Sequence, residues 1–463
     1  MGVLNTFVGE PWEYQEADAL RISERLKGRA LLGHKTGLGK TFISLLTLFK
    51  RGPNRVLIVG TKSALSVWID EVPKYTETEV VYLSRKDPCI RDKWQEALNI
   101  QGRGIWLINH DMFRRLMEET VEGGKQHIWF DAIVVDEAHK AKNRKSLLYK
   151  YLKKIKSREL LLLTATPASR GAQDMWSYLN LLDPDMFGSY WKYVNTFCWV
   201  VDGSYGKVVE GTKNKEALRA LLKDYYVAHT YAEVKHELPP LRRQTVMVEM
   251  EEDQEKLYRK MCDTFLLETP EAVNGKPLLI APGILAASQR LRQLALCPRV
   301  LDKSFPYGAG VDYIVEEICE RPYDERHTVI FSISKEVLYR VREALEREGV
   351  QNIFMLQGGM EPDEVSTTVR EFKKTKGIML CTISFAQSFA LDTVNIAYVL
   401  GADYDPSNNL QAEGRLRRGN SVMGPEGVLV KYIVISGTKE EDTRDIINVK
   451  VSTVKDFITG YAE

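Results

Sequence analysis

Short, nearly uniform apolar blocks recur along the chain, and between them apolar residues return every three or four positions. Ala30-Leu31-Leu32, Arg55 to Val59, Gly104 to Ile108, Ala132 to Val135 and Leu160 to Leu163 form one series. Each is too short for a helix and apolar on both faces, as a strand covered on both sides must be. A helix opens at Pro11-Trp12-Glu13-Tyr14-Gln15 and runs towards Lys27, and a second runs from Phe42 to Phe49. This alternation predicts an α/β domain, a parallel sheet with helices on both faces.

A second series follows: Thr328 to Phe331, Ile353 to Leu356, Gly377 to Cys381 and Ile396 to Leu400. Between the two, residues 186–237 are aromatic-rich and lack the alternation, which predicts an insertion. Glu251 to Leu267 and Ile284 to Leu296 read as helices. The expected domains are therefore 1–185, a linker with helical protrusions over 186–310, and a second α/β unit over 311–463. The aromatics of the insertion are expected to build its local core more than to stack on bases, since a small insertion must supply its own apolar centre.

Composition narrows the picture only modestly. The 463 residues carry 44% apolar and 27% charged positions, as a globular protein of two or three domains does. Net charge is +1, so any nucleic-acid surface must be a local patch. One such patch is the basic stretch Lys140, Lys142, Arg144, Lys145, Lys150, Lys153, Lys154, Lys156, Arg158, which reads equally as a solvated helix face. Six scattered cysteines form no C-x-x-C pair and read as reduced thiols. No apolar run reaches membrane-spanning length and the N-terminus lacks a signal-peptide layout, so the expectation is a cytoplasmic protein without a membrane partner.

The chemistry concentrates at the ends of the apolar blocks. Gly33-His34-Lys35-Thr36-Gly37-Leu38-Gly39-Lys40-Thr41 lies between a strand and a helix. A glycine-rich turn there aims backbone N–H groups and the helix dipole at an anion. Thr36, Gly37, Leu38, Gly39, Lys40 and Thr41 are the candidate ATP-binding residues, Lys40 for the β- and γ-phosphates and the Thr41 hydroxyl for Mg²⁺. The full pattern asks for glycine where His34 stands. Gln15 upstream can donate and accept at once, which suits adenine. Asp136-Glu137-Ala138-His139 follows four apolar residues, so both acids emerge at a strand's carboxyl end. Asp136 would hold Mg²⁺ and Glu137 would orient or deprotonate the attacking water. Lys62, Ser63 and Asn109, also at strand ends, suit phosphate contacts of nucleic acid.

In order, Gln15, Gly-Leu-Gly-Lys-Thr, Val56 to Ser63, Asp-Glu-Ala-His and Leu163-Thr164-Ala165-Thr166-Pro167 resemble a superfamily two helicase-type motor. More narrowly the chain resembles the Swi/Snf family of double-stranded DNA translocases, through Ala138 to Asn143, through Trp176 to Pro184 and Phe187-Gly188, and through Leu238-Pro239-Pro240. Gln289 to Leu294 and Cys297-Pro298 are similar to the family's second-lobe helical insert. Asp403 to Asn420 resembles its final motif, Gln-Ala-x-x-Arg-x-x-Arg, and Val428 to Ile435 with Gly437 to Asp442 its closing element.

The resemblance implies two tandem RecA-like lobes with helical insertions between and within them, hydrolysis of ATP with Mg²⁺, and movement along double-stranded or branched DNA as a monomer. It implies catalytic roles for Gln411, Arg415 and Arg418 beside Lys40, Asp136 and Glu137, and DNA contacts for Lys142, Asn143 and Thr382. Two places depart from the family. His229-Thr230-Tyr231 stands where an Arg-Arg pair is usual, and Thr382 to Ser388 lacks the usual glycines. A motor without accessory modules suggests a bacterial or phage source and work on replication or recombination intermediates, alongside proteins of those processes. A strand-separating DNA or RNA helicase and a nucleotide-dependent remodeller of a protein partner are the alternatives.

Overall fold

The structure, a computed structural model, describes the chain apart from residues 1, 5, 36, 123–127, 204–205, 230, 235–240, 265, 268–278, 281–283, 321–326, 361, 387–388, 390, 392, 417–426, 456–457 and 459–463. The chain packs as two units, residues 1–236 with 450–463, and residues 237–449. The segment expected to be a linker is thus shared between them.

The first unit carries β1 (Arg29–Leu32), β2 (Arg55–Gly60), β3 (Val80–Leu83), β4 (Gly104–Asn109), β5 (Ile128–Val135), β6 (Ile155–Leu163), β7 (Cys198–Gly203), β8 (Gly206–Thr212) and β9 (Tyr226–Val227). Seven of these form one parallel sheet in the order β3-β4-β2-β5-β6-β1-β9. Alternation along the strands sorts the core. Val56, Ile58, Ile105, Leu107, Val134 and Leu161 pack with Ala19, Ile43, Trp68 and Val72 from α1 (Glu13–Glu24), α2 (Lys40–Arg51) and α3 (Lys62–Tyr75). The intervening Leu57, Ile133 and Leu162 are equally buried, so the other face is covered too.

The second unit holds β10 (Leu241–Val248), a small antiparallel pair β11 (Leu266–Leu267) and β12 (Leu279–Ile280), then β13 (His327–Ser332), β14 (Ile353–Leu356), β15 (Ile378–Thr382), β16 (Val394–Leu400) and β17 (Val428–Ile435). Six strands form a second parallel sheet, β10-β17-β16-β13-β15-β14. Ile330, Leu380, Tyr398 and Ile433 pack under the helices Ala309–Glu320 and Lys335–Arg347, while Val329, Met379 and Ala397 are buried on the opposite face. Two tandem α/β units with all-parallel sheets are what the two apolar series predict. No described helix is long and apolar enough to cross a membrane.

In the first unit, the insertion comprises a helix Tyr190–Phe197, the β7–β8 hairpin and a helix Lys215–Leu222, and then returns as β9 beside β1. That return places the residues just after β9 next to the glycine-rich loop.

Candidate functional site

The loop after β1 is built for close approach. The Gly33 N–H donates to the Val227 carbonyl across the β1–β9 pair, and a Cβ on Gly33 would fall 2.2 Å from the Tyr226 ring. Gly37 (φ 88°) and Gly39 (φ 72°) occupy the left-handed region, which a side chain disfavours. Gly39 caps α2 with no side-chain bond, and no acid stands in the helix's first turn. The α2 N-terminus therefore keeps its donors and its positive dipole end for an anion. Lys40 Nζ donates to the carbonyls of His34 (2.9 Å) and Lys35 (3.3 Å), so its ammonium lies within the loop. Thr41 follows on the first turn, half-buried, while Thr36 lies outside the described residues.

Gln15 is buried against this loop. Its Oε1 accepts from the Trp12 N–H (3.1 Å), its Nε2 donates to Tyr14 Oη (3.3 Å), and Tyr14 Oη donates to the Leu38 carbonyl (3.1 Å). A Cβ on Gly39 would lie 2.4 Å from Gln15 Nε2, the movable end of that side chain, so it is the positive φ that favours glycine there.

His34, the departure from the phosphate-loop pattern, is fully buried and locks the loop to two distant segments. Its Nε2 lies 2.8 Å from Asp18 Oδ2 of α1, and His229 Nε2, just beyond β9, lies 3.2 Å from Asp18 Oδ1. The two imidazoles are 5.4 Å apart, and Tyr14 packs beside both. Burial alone would raise the Asp18 pKa, but the hydrogen bonds from His229 and His34 outweigh it and hold the carboxylate below its ordinary value. Burial pushes His34 below 6.5, whereas the bond to Asp18 raises His229 above it. With a proton on each Nε2, the two imidazoles donate to the carboxylate from both sides.

At the carboxyl end of β5, Asp136 continues the ladder through its N–H to the Val59 carbonyl (2.8 Å). Its Oδ2 accepts from Trp68 Nε1 of α3 (2.9 Å) and its Oδ1 from the Glu137 N–H (2.8 Å). Burial and then the neighbouring Glu137 raise its pKa, and Trp68 and Lys40 oppose them. Glu137 itself has φ 51°, a left-handed conformation that costs about 1 kcal/mol or more in a non-glycine residue. Its Oε2 lies 3.1 Å from His139 Nδ1. His110, half-buried at the start of the helix that follows β4, is pushed down to about 4 by desolvation. The oxygen donors Asp136 and Thr41 are the hard ligands that Mg²⁺ takes, and the α2 N-terminus with Lys40 fits a polyphosphate. The first unit thus brings Gln15, the loop, Lys40, Asp136 and Glu137 to the carboxyl ends of β1 and β5.

The expected nucleic-acid contacts divide. Lys62 is exposed at the start of α3, where Thr61 Oγ1 caps the Ala64 N–H (3.2 Å); the Ser63 side chain lies outside the described residues. Asn109 is buried, and its Oδ1 accepts from the Asp111 and Met112 N–H groups, capping the helix His110–Glu122. Lys142 is half-buried and donates to Ser169 Oγ (2.7 Å), and Asn143 is exposed, with Oδ1 accepting from the Lys145 N–H. The rest of the basic stretch, Arg144 to Arg158, is solvent-facing.

In the second unit, Thr382 ends β15 and lines a cleft of about 650 Å³ with Gln289, Arg292, Lys335, Gln357 and Tyr404. The helix Pro406–Gly414 is held at its start by Asp403 and Asp405: Asn408 and Asn409 donate to Asp403, and Asp405 caps the Ser407 N–H. It buries Gln411 and ends at Arg415, which is half-buried; Arg418 lies outside the described residues. Glu413, which the sequence does not single out, is the helix's anchor. It receives Arg243 of β10 at 2.7 and 3.0 Å and Tyr432 Oη of β17 at 2.8 Å. Trp68, Asp18 and His229 were missed as well. No local pattern marks these roles, although His229 stands out as a departure from the family's Arg-Arg pair, because each acts on a residue outside its own segment.

The SNF2-related domain profile matches residues 19–299, and the helicase conserved C-terminal domain profile matches residues 310–420. The chain is 24% identical over 356 residues to the ISWI chromatin-remodeling complex ATPase ISW1 of Saccharomyces cerevisiae, covering 75% of this chain and 29% of that one. It is 23% identical over 463 residues to the human DNA annealing helicase and endonuclease ZRANB3, covering 97% of this chain and 40% of that one. The chain spans well under half the length of these curated relatives. The Sulfolobus solfataricus SWI2/SNF2 ATPase core in complex with dsDNA is 22% identical with a TM-score of 0.45, covering 99% of this chain and 94% of that one.

Proposed function

Because the chain belongs to the SNF2-related family of helicase-like ATPases, we propose that it hydrolyses ATP in response to DNA and moves along the duplex. The observation that carries this reading is the meeting of Gln15, Lys40, Asp136 and Glu137 around one loop and one sheet edge. Gln15 reads the adenine, Lys40 and the α2 amides hold the phosphates, and Asp136 with Thr41 would hold Mg²⁺, which would neutralise charge on the polyphosphate. Glu137 orients the attacking water. Gln411, Arg415 and Arg418 of the second unit stabilise the charge that develops on the transferred phosphoryl group.

Lys62, Ser63, Lys142, Asn143 and Thr382 contact the DNA backbone in this reading. The likeness to an annealing helicase supports a narrower role, remodelling branched replication or recombination intermediates by fork regression, branch migration or annealing.

Steady-state ATPase without nucleic acid, then with single-stranded DNA, blunt duplex, forked duplex and RNA, tests the reading, with Lys40→Ala as control. Strong stimulation by duplex or fork, lost in Lys40→Ala, is expected. Equal rates with and without DNA would overturn it, and stimulation confined to single strands or RNA would replace it with a strand-separating helicase.

A further inference from the structure

The insertion of the first unit exposes aromatic residues that its own core does not use. Phe187, Tyr193, Val194 and Cys198 are buried and supply that core. Trp191 at the start of the helix Tyr190–Phe197 is 41% exposed, and Trp199 on β7 is 59% exposed. Two large indoles in one small insertion thus leave ring faces open to solvent.

Each ring is accompanied by a cation. Lys207 Nζ lies 5.8 Å from the Trp191 ring centroid and Lys213 Nζ 5.0 Å from that of Trp199. Next to Trp191, the Arg144 guanidinium sits 4.3 Å over the Tyr190 ring, which joins the basic stretch to the aromatic helix. Gly211 stands opposite Trp199 in the hairpin, and a Cβ there would already touch Cδ1 at 3.7 Å. Residues 186–215 contain the lysines 192, 207, 213 and 215 and two acids, Asp202 and Glu210. An apolar protein partner would match the indoles but not the cations. A polyanion with flat apolar faces matches both.

We propose that the β7–β8 hairpin and the helix beside it form a stacking platform for an unpaired DNA strand. In a duplex the bases are stacked on one another and offer a protein only edges and phosphates. An unpaired strand offers π-faces to indoles and phosphates to the lysines beside them, in any sequence. Lys207 and Lys213 are six residues apart along the hairpin, about 20 Å at strand rise, which spans several nucleotides of an unpaired strand. The platform accepts the strand left single at a fork or junction, while the duplex is tracked elsewhere. This rests on the motor reading above and adds to it a binding site that duplex translocation does not need.

The test is titration of the full chain with oligothymidylate, followed by anisotropy and by intrinsic tryptophan fluorescence, alongside ATPase on blunt duplex. Oligothymidylate should quench the wild-type fluorescence. Trp199→Ala should weaken its binding about tenfold, while duplex affinity and duplex-stimulated ATPase stay at wild-type values. Trp199→Phe should restore binding most of the way and remove part of the quench; it also serves if the alanine variant unfolds. Lys213→Gln should lower the slope of log affinity against log salt by about 0.7. Unchanged oligothymidylate binding in Trp199→Ala, equal loss of oligothymidylate and duplex binding, or no quench in the wild type would each overturn the platform. Failure of the motor reading has its own signature, an ATPase indifferent to duplex in the wild type, whatever the oligothymidylate does.

Discussion

Two single residues set the chemistry of the nucleotide loop, and each gives a prediction. Glu137 stands in a strained left-handed conformation at the end of β5, where strain is tolerated for what the side chain does. Glu137→Gln keeps shape and hydrogen-bonding size but cannot take a proton. It should bind ATP as the wild type does and lose at least about 100-fold in turnover, read by nucleotide binding against steady-state rate. Asp18 ties His34 of the loop to His229. Asp18→Asn removes the charge that two imidazoles share in a buried place, and should destabilise the first unit by about 2 kcal/mol in urea unfolding. The pH dependence has a definite sign. His34 is depressed, so its share of stability is complete above 6.5 and is lost as pH falls towards its folded value. His229 is raised, so its share is complete below 6.5 and is lost as pH rises through its folded value. Asp18 is depressed and yields only in acid. Thermal melts should therefore peak near pH 6.5, and Asp18→Asn should abolish the decline on the alkaline side. Sequence marks His34 as a misfit in its pattern; what it cannot mark is the partner, because His229 reaches the loop only through the return of β9.

Elements differ in how openly the sequence announces them. Ile353–Leu356 and Ile284–Leu296 are read to the residue, and β2, β4, β13 and β15 to within about one, because each is a dense apolar block between turn signals. β3 and β10 are not read at all. β3 is a four-residue edge strand, and β10 opens with Leu241-Arg242-Arg243-Gln244-Thr245, polar because it too lies at an edge with much of its length in water. Yet β10 carries the side chain that steadies the last motif. Arg243 bonds in two places to Glu413, which is nearly sealed from water. Among the described residues, Arg243→Ala leaves that carboxylate with Tyr432 alone. The expected cost is about 2 kcal/mol, below the value for a fully buried pair because Arg243 is one-third exposed. Urea unfolding reads the cost, and Arg243→Lys should recover only part of it, since an ammonium cannot reproduce the two-point bond. The insertion shows the same limit from the other side. Its aromatics are expected to form a core, and Tyr193 does, but burial separates Trp191 and Trp199 from it, and no spacing in the sequence distinguishes the two groups.

At the scale of the whole molecule, the chain divides its chemistry unequally between two units, each with its own sheet and core. The first has the loop, Lys40, Asp136 and Glu137; the second has a helix that buries Gln411 and ends at Arg415, with no phosphate loop of its own. If both act on one nucleotide, binding should stabilise both against unfolding, because a ligand that binds only the folded state stabilises every unit that must be folded to bind it. A slowly hydrolysed ATP analogue with Mg²⁺ at about 100 times its dissociation constant should stabilise the protein by about 2.7 kcal/mol. Differential scanning calorimetry, or hydrogen exchange read separately on β1–β6 and β13–β17, should find protection in both units. In Lys40→Ala both shifts should vanish. In Arg415→Ala the first unit should keep its protection while the second loses it, and turnover should fall by two orders of magnitude or more with binding nearly intact. Protection confined to the first unit of the wild type would mean that Gln411 and Arg415 serve the fold of the second unit and not the nucleotide. The division of labour read from the two apolar series would then be one of architecture alone.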